Sequence, residues 1–310
     1  MPRCSGWPIV IFATFARTRS STSVSDSDPP DLSGLPRLKD TIRAHGLDAD
    51  KRLGQHFLLD PAILRAIARS AGNLRDCNVL EIGPGPGGLT RALLAEGARV
   101  TAVERDGRCV QALQQLVDAA NGRLKLLEAD ALDIDADVIM DGKSYLIVAN
   151  LPYNVGNELL IRWLRRARGI IDMRLMFQRE VVDRLCAAPR SSAYGRLSIL
   201  AQTVCGVERV MDLPAGAFHP PPKVRSALVA LRPRDPRPSE KLMAALEQLT
   251  GAAFQQRRKM LRSSLKPLGV KVDALLEGSG VDATSRAEEL DVDTFGDLAR
   301  QLVTLRRAAP

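Results

Sequence analysis

Val79-Leu80-Glu81-Ile82-Gly83-Pro84-Gly85-Pro86-Gly87-Gly88 is the stretch from which the fold is read. Val79, Leu80 and Ile82 make a short apolar run suited to a parallel strand buried on both faces. Gly83, Gly85 and Gly88 follow at the spacing G-x-G-x-x-G, and helical sequence begins at Leu89. Such a turn lets backbone approach a ligand and aims the N–H groups of a helix N-terminus at it. Taken alone, the pattern also fits an ordinary strand-to-helix loop. A second apolar run, Val100-Thr101-Ala102-Val103, ends on Glu104. A carboxylate at that place typically takes ribose hydroxyls. Together the two features point to an adenosine-containing cofactor without distinguishing among such cofactors.

Outward from this stretch, strand and helix patterns alternate. Strands are expected at 78–82, 99–104, 124–128, 144–149 and 173–178, and helices at 88–96, 107–119, 156–167 and 179–187. This rhythm predicts an α/β fold with an open, mostly parallel sheet and helices on both faces. Ligands of such sheets sit beyond the carboxyl ends of the strands. Gly83, Glu104, Asp130 and Asn150 all fall there. An Asp after a strand often serves only as a turn cap, but its place at the same edge favours a binding role for Asp130. A helix is expected over 195–205, then two strands, 207–213 and 224–231, as a hairpin-like pair at the sheet edge. Between them Phe218-His219-Pro220-Pro221-Pro222 makes a stiff loop. There Phe218 either packs or stacks on a ligand.

The bulk properties fit a globular protein. The chain has 310 residues, 45% hydrophobic and 26% charged, with a net charge of +8 that favours a polyanionic partner. Five scattered cysteines form no C-x-x-C pair, so neither a zinc site nor a disulfide framework is indicated, and a reducing compartment fits best. No apolar run is long enough to span a bilayer. Residues 1–35 are expected to lie outside the fold. Pro8 and Thr14 weaken a signal-peptide reading of the apolar start. Arg and Ser without acidic residues over 1–25 allow a mitochondrial presequence. The preferred reading is a misplaced start codon, with Val24 encoded by a GTG start.

A short helix over 38–45 presents Leu38, Ile42 and His45 on one face. Lys51 to Asp60 reads as a ligand-covering loop, and Asp60 with Pro61 reads as a helix start. The domain boundaries are therefore placed at 36–235 and 236–310. Arg232 to Pro238 is read as a linker and 239–310 as a small all-α domain, with helices at 239–254, 255–266, 271–277, 283–288 and 293–307. Two basic clusters, Arg162/Arg165/Arg166/Arg168 and Arg257 to Arg262, could meet phosphate. A solvated face is the commoner fate of such runs.

Asn150-Leu151-Pro152-Tyr153 follows the fourth strand. The tetrad resembles the [N/D]-[L/P]-P-Y motif of methyltransferases acting on exocyclic amino nitrogens, in the N-L-P-Y form of the ribosomal RNA adenine dimethyltransferases. The resemblance extends through Lys51–Asp60, Glu81–Thr90, Glu104, Asp130 and the stretch Phe218 to Ala227, in the same order over about 38–310. It implies a class I methyltransferase fold and S-adenosyl-L-methionine as cofactor. It also implies small-subunit rRNA or a pre-30S particle as partner, and ribosome biogenesis in the cytoplasm, or in the mitochondrial matrix if 1–25 is a presequence. A monomer is expected, with no metal.

The resemblance also assigns roles. His56 and Leu58 would cover the methionine end of the cofactor, above Gly83. Glu104 would take the ribose, Asp130 the adenine amino group, and Asn150 would stand between cofactor and substrate. The family usually has Asn at the place of His56, where a ring nitrogen can donate instead. Asn150 and the Leu151 carbonyl would accept the two N–H bonds of the target amine, with Pro152 stiffening the turn. Tyr153 and Phe218 would sandwich the extruded base.

Three rivals stand against this reading. An NAD-dependent oxidoreductase leaves Asn150 to Tyr153 unexplained. A non-catalytic RNA-binding factor predicts a degraded tetrad or glycine loop. The branch acting on large-subunit rRNA usually has a different tetrad and C-terminal domain.

Overall fold

The computed structural model describes residues 28–47, 56–166 and 168–308. In chain order its elements begin α1 (Leu38–Ala44), β1 (Phe57–Leu58), α2 (Pro61–Ser70), β2 (Asn78–Ile82), α3 (Gly88–Ala95), β3 (Arg99–Glu104) and α4 (Gly107–Ala119). Next come β4 (Leu124–Glu128), α5 (Ala136–Ile139), β5 (Tyr145–Asn150), α6 (Gly156–Arg166), β6 (Ile170–Gln178), α7 (Arg179–Leu185) and α8 (Arg196–Val204). The remainder is β7 (Cys205–Leu213), β8 (Phe218–His219), β9 (Ser226–Pro233), α9 (Glu240–Gln255), α10 (Leu261–Ser264), α11 (Val272–Glu277) and α12 (Val292–Ala308).

The large sheet runs β4-β3-β2-β5-β6-β9-β7. Pairings among β4, β3, β2, β5 and β6 are parallel, and β9 pairs antiparallel with both β6 and β7. The fold is thus the expected mostly parallel α/β sheet, with β7 and β9 as the antiparallel pair at one edge. Alternation along β5 shows why both faces need cover. Tyr145, Ile147 and Ala149 enter one buried cluster, while Leu146 and Val148 enter another on the opposite face.

Register positions the site. Ile82 pairs with Val103, so β2 and β3 end level and Gly83 donates to the Val103 carbonyl at 2.9 Å. The chain runs outward from β2 to β3 to β4, then returns to β5 on the other side of β2. Strand direction of travel therefore reverses between β2 and β5, where ligands of open α/β sheets bind.

Several expectations are revised. Asp28 pairs with Arg75 at 3.0 Å, and Leu32 and Leu35 pack on the second buried cluster, so 28–35 belongs to the fold. Apolar side chains at 32 and 35 gain more by burial than a loose tail would. Residues 1–27 and 51–55 lie outside the described residues. On α1 it is Thr41 that is buried, while His45 is exposed. The expected helix 255–266 is broken. Arg257 draws the chain aside by donating to Glu288 at 2.6 Å and to the Ser191 and Ser192 carbonyls, leaving only α10. Residues 287–289 form a tight 3-10 turn capped by the Glu289 carboxylate on the Arg286 N–H. The ribbon of β1 with β8 has no counterpart in the sequence reading.

The C-terminal helices share buried contacts with the sheet layer. Leu246, Leu249, Leu298 and Leu302 lie in one cluster with Leu160, Leu200 and Val229. Glu247 on α9 is buried and pairs with Arg165 of α6. A buried carboxylate is stable only when so paired.

Gly87 shows how tightly the turn is built. Its φ is 88°, and an added Cβ would lie 2.7 Å from Leu113 Cδ2. Gly87→Ala is expected to destabilise the protein by about 1–3 kcal/mol. Gly251, in α9, has nothing within 4 Å of an added Cβ, and Gly251→Ala should stabilise by about 0.5–1 kcal/mol. Urea melts of both variants check this; equal shifts would contradict it.

Candidate active site

The cleft opens at the carboxyl ends of β2, β3, β4 and β5. Its wall is the glycine turn, Glu104 to Asp106, Ala129 to Ala131, Asn150 to Val155 and the segment His56 to Leu58. Gly83, Gly85 and Gly87 have φ of 67°, 55° and 88°, the left-handed region that favours glycine. A Cβ on Gly85 would come within 3.1 Å of the Phe57 ring, and one on Gly83 would face Pro152 at 3.8 Å. The turn thus presents bare backbone to the cleft.

Two buried carboxyls hold the floor. Glu104 Oε2 accepts from Gly85 N at 3.0 Å, and Oε1 accepts from the N–H groups of Arg105 and Asp106, both at 2.8 Å. One side chain therefore ties the glycine turn to the end of β3. A carboxylate has about four acceptor positions, so Oε2 retains capacity for a hydroxyl donor. Burial raises the Glu104 carboxyl above its ordinary range, and the three backbone N–H groups oppose that rise. Glu81 is 1% exposed, lines the same cleft, and its Oε2 has no hydrogen-bond partner. Burial pushes it up to about 8. The nearby Thr90 hydroxyl opposes this rise, and the charge of Glu104 adds to it to a lesser extent.

Asn150 ends β5 in a defined orientation. Its Nδ2 donates to the His56 carbonyl at 3.0 Å. A carbonyl can only accept, so this bond fixes which end of the amide is nitrogen. Among the described residues no donor reaches Asn150 Oδ1 or the Leu151 carbonyl. Both acceptors remain available at the cleft wall. His56 Nδ1 lies 2.8 Å from the Pro220 carbonyl and must carry the proton there, leaving Nε2 as an acceptor in the neutral ring. Its ring stands 5.6 Å from that of Tyr153, tilted by 35°. The Tyr153 hydroxyl bonds Ser226 Oγ at 2.7 Å. Burial raises the Tyr153 phenol, so the ring stays neutral at physiological pH.

The other expected residues divide. Leu58 is buried at the cleft wall, its carbonyl close to Gly88. Asp130 is at the cleft too, with Oδ1 accepting from Leu132 N at 2.9 Å and Oδ2 paired with Arg105 at 2.9 Å. Phe218 is not brought into the cleft. It is 4% exposed, its backbone pairs with Leu58 across the β1–β8 ribbon, and it lines a neighbouring groove. The expected sandwich of a base between Tyr153 and Phe218 is therefore absent from this arrangement, because Phe218 gains more by packing in the second buried cluster. The sequence reading missed Glu81, Arg105 and Ser226 as site residues. Glu81 carried a signal, a carboxyl in the middle of an otherwise apolar strand. Ser226 lies within the Phe218 to Ala227 stretch, but nothing in the sequence joins it to Tyr153, 73 positions away. Among the described residues no grouping of His, Cys, Asp and Glu could hold a metal, and no helix is long and apolar enough to cross a membrane.

Glu81 makes stability depend on pH. Its folded value lies above the ordinary 4.5. Its contribution is therefore fully present below 4.5 and is lost as pH rises through about 8. Glu81→Gln removes that loss. In the cofactor-free protein its melting temperature should rise relative to wild type between about pH 4.5 and about pH 8 and level off above that. An offset independent of pH would contradict the assignment.

Comparison with known proteins agrees with this geometry. Residues 46–303 match the ribosomal RNA adenine dimethylase family. A ribosomal RNA small subunit methyltransferase A from Xanthobacter autotrophicus is 50% identical over 282 residues, covering 90% of this chain and 98% of that protein. A dimethyladenosine transferase from Plasmodium falciparum superposes with a TM-score of 0.66 at 26% identity, over 78% of this chain and 96% of that one. The 23S rRNA methyltransferase ErmE superposes with a TM-score of 0.60, also at 26% identity, over 79% and 99%. With the match spanning most of its length and the tetrad at the switch point of its sheet, the chain belongs to the ribosomal RNA adenine dimethylase family.

Proposed function

We propose that the protein dimethylates N6 of two adjacent adenosines near the 3′ end of small-subunit (16S) rRNA, four methyl transfers in all, using S-adenosyl-L-methionine in the cytoplasm. The observation that carries this reading is the Asn150 carboxamide. Its nitrogen is held by His56, while its oxygen and the Leu151 carbonyl stay unpartnered at the cleft wall.

The residues present fit the cofactor. The bare backbone at Gly83 leaves room for a methionine moiety close to Pro152, while Gly85 lets the Phe57 ring pack against the turn. Glu104 keeps an acceptor for ribose hydroxyls, and Glu81 Oε2 is an unpartnered acceptor beside a group that carries positive charge. His56 and Leu58 would cover the methionine end, and Asp130 would take the adenine amino group. The cofactor supplies an electrophilic methyl on a sulfonium.

The rest of the chemistry belongs to the chain. An adenine amino nitrogen shares its lone pair with the ring and is a poor nucleophile. Asn150 Oδ1 and the Leu151 carbonyl each accept one of its N–H bonds, which favours a more tetrahedral nitrogen with its lone pair freed. Pro152 fixes the turn between the two acceptors. The Tyr153 ring, anchored through Ser226, supplies a face for the extruded base, and such stacking is worth about 1–3 kcal/mol. No strong base is required, since the N6 proton becomes acidic as positive charge develops on nitrogen. Positioning and preorganised dipoles carry the acceleration.

Asn150→Ala is expected to lower methyl transfer by roughly 10²–10³-fold while cofactor binding, followed by calorimetry, survives. Unchanged turnover would remove Asn150 from the mechanism. Primer extension on rRNA from a deletion strain tests the substrate: the two adenosines should lose their dimethylation, and its persistence would refute the assignment.

A further inference from the structure

The two basic clusters of the sequence are partly engaged in internal bonds. Arg162 pairs with Glu158, Arg165 with Glu247, and Arg257 with Glu288. A third concentration of cations is assembled from separate segments and is invisible in the linear chain. Arg37, Lys39 and Arg43 at α1, Arg65 on α2 and Arg91 on α3 line one open groove of about 1070 Å³. Arg37, Lys39 and Arg65 are exposed and, among the described residues, their side chains have neither an ion-pair nor a hydrogen-bond partner. Arg91 is half-buried. It donates to the Pro36 carbonyl at 2.7 Å, and its Nε has no partner. The acidic residues of the lining do not neutralise these groups. Asp40 lies 3.8 Å from Arg43, and Asp60 is engaged in capping α2.

The groove adjoins the active site. Leu64 and Gly88 line both spaces. The wall between them is the β1–β8 ribbon, with Leu58 on the cleft side and Phe218 and His219 on the groove side. An extruded adenosine stays attached to its neighbours, so its flanking nucleotides must leave the cleft along the protein surface. A trough of unpartnered cations with apolar walls focuses potential and suits the phosphates of such a strand.

We propose that this groove carries the RNA strand flanking the target adenosine, its phosphates resting on Arg37, Lys39 and Arg65. The inference rests on the proposed RNA-methylating function. The ribbon is then the sill over which the strand passes, and Phe218 serves the strand path from the groove side.

The test is methyl transfer from labelled adenosylmethionine to undermethylated small ribosomal subunits, by wild type and by the triple variant R37Q/K39Q/R65Q, over a range of salt concentrations. All three side chains are exposed, and melting curves verify the fold. The variant should show a KM raised roughly tenfold, with the slope of log KM against log salt lowered by about 2, from three lost phosphate contacts at about 0.7 each. The kcat and cofactor affinity should stay within about twofold. If wild type is active and the variant matches it in KM and salt slope, the groove is not the strand path. If wild type itself transfers no methyl to the subunit, the functional reading fails and the groove assignment falls with it.

Discussion

The cleft depends on one hydrogen bond, from Asn150 Nδ2 to the His56 carbonyl. It joins the end of a central strand to a segment that enters the site from 94 positions away. Without it the carboxamide could rotate, and nitrogen rather than oxygen could face a substrate amine, turning an acceptor into a donor. His56 is in turn held by the Pro220 carbonyl, so the Phe218 to Pro222 loop fixes the group that fixes Asn150. The two-stranded β1–β8 ribbon makes this chain of constraint rigid.

A second constraint is electrostatic. Glu81 and Glu104 are both buried beneath the glycine turn. Glu104 is compensated by three backbone N–H groups, whereas one oxygen of Glu81 is not compensated at all. Leaving a buried acceptor unpartnered costs stability. That cost is understandable where the ligand brings positive charge. The site is thus less stable than a packed alternative and more receptive to a cation.

Much of the sheet was legible because it rests on local signals. Alternating apolar runs located the central strands, and the glycines located the turn. Asp60 with Pro61 located the start of α2, where Asp60 Oδ1 does accept from the Ala62 and Ile63 N–H groups. The cleft residues Gly83, Glu104, Asp130 and Asn150 were legible because the parallel strands β2, β3, β4 and β5 all place their carboxyl ends on one edge. What was not legible depends on distant partners. The β1–β8 ribbon, the Tyr153–Ser226 bond and the basic groove each join segments far apart in sequence, and neither periodicity nor spacing encodes them. The expected helix over 255–266 failed for the same reason. Its propensity was overridden by Arg257 reaching to Glu288 and to the Ser191 and Ser192 carbonyls.

The unpartnered acceptors of Asn150 and Leu151 are proposed to serve an adenine amino group that is methylated twice. The most direct measurement incubates the purified protein with methyl-labelled adenosylmethionine and undermethylated small subunits, digests the rRNA to nucleosides and separates them. Label is expected in N6,N6-dimethyladenosine from the 3′ end of the small-subunit rRNA. Label confined to another nucleoside, or to large-subunit rRNA, would contradict it.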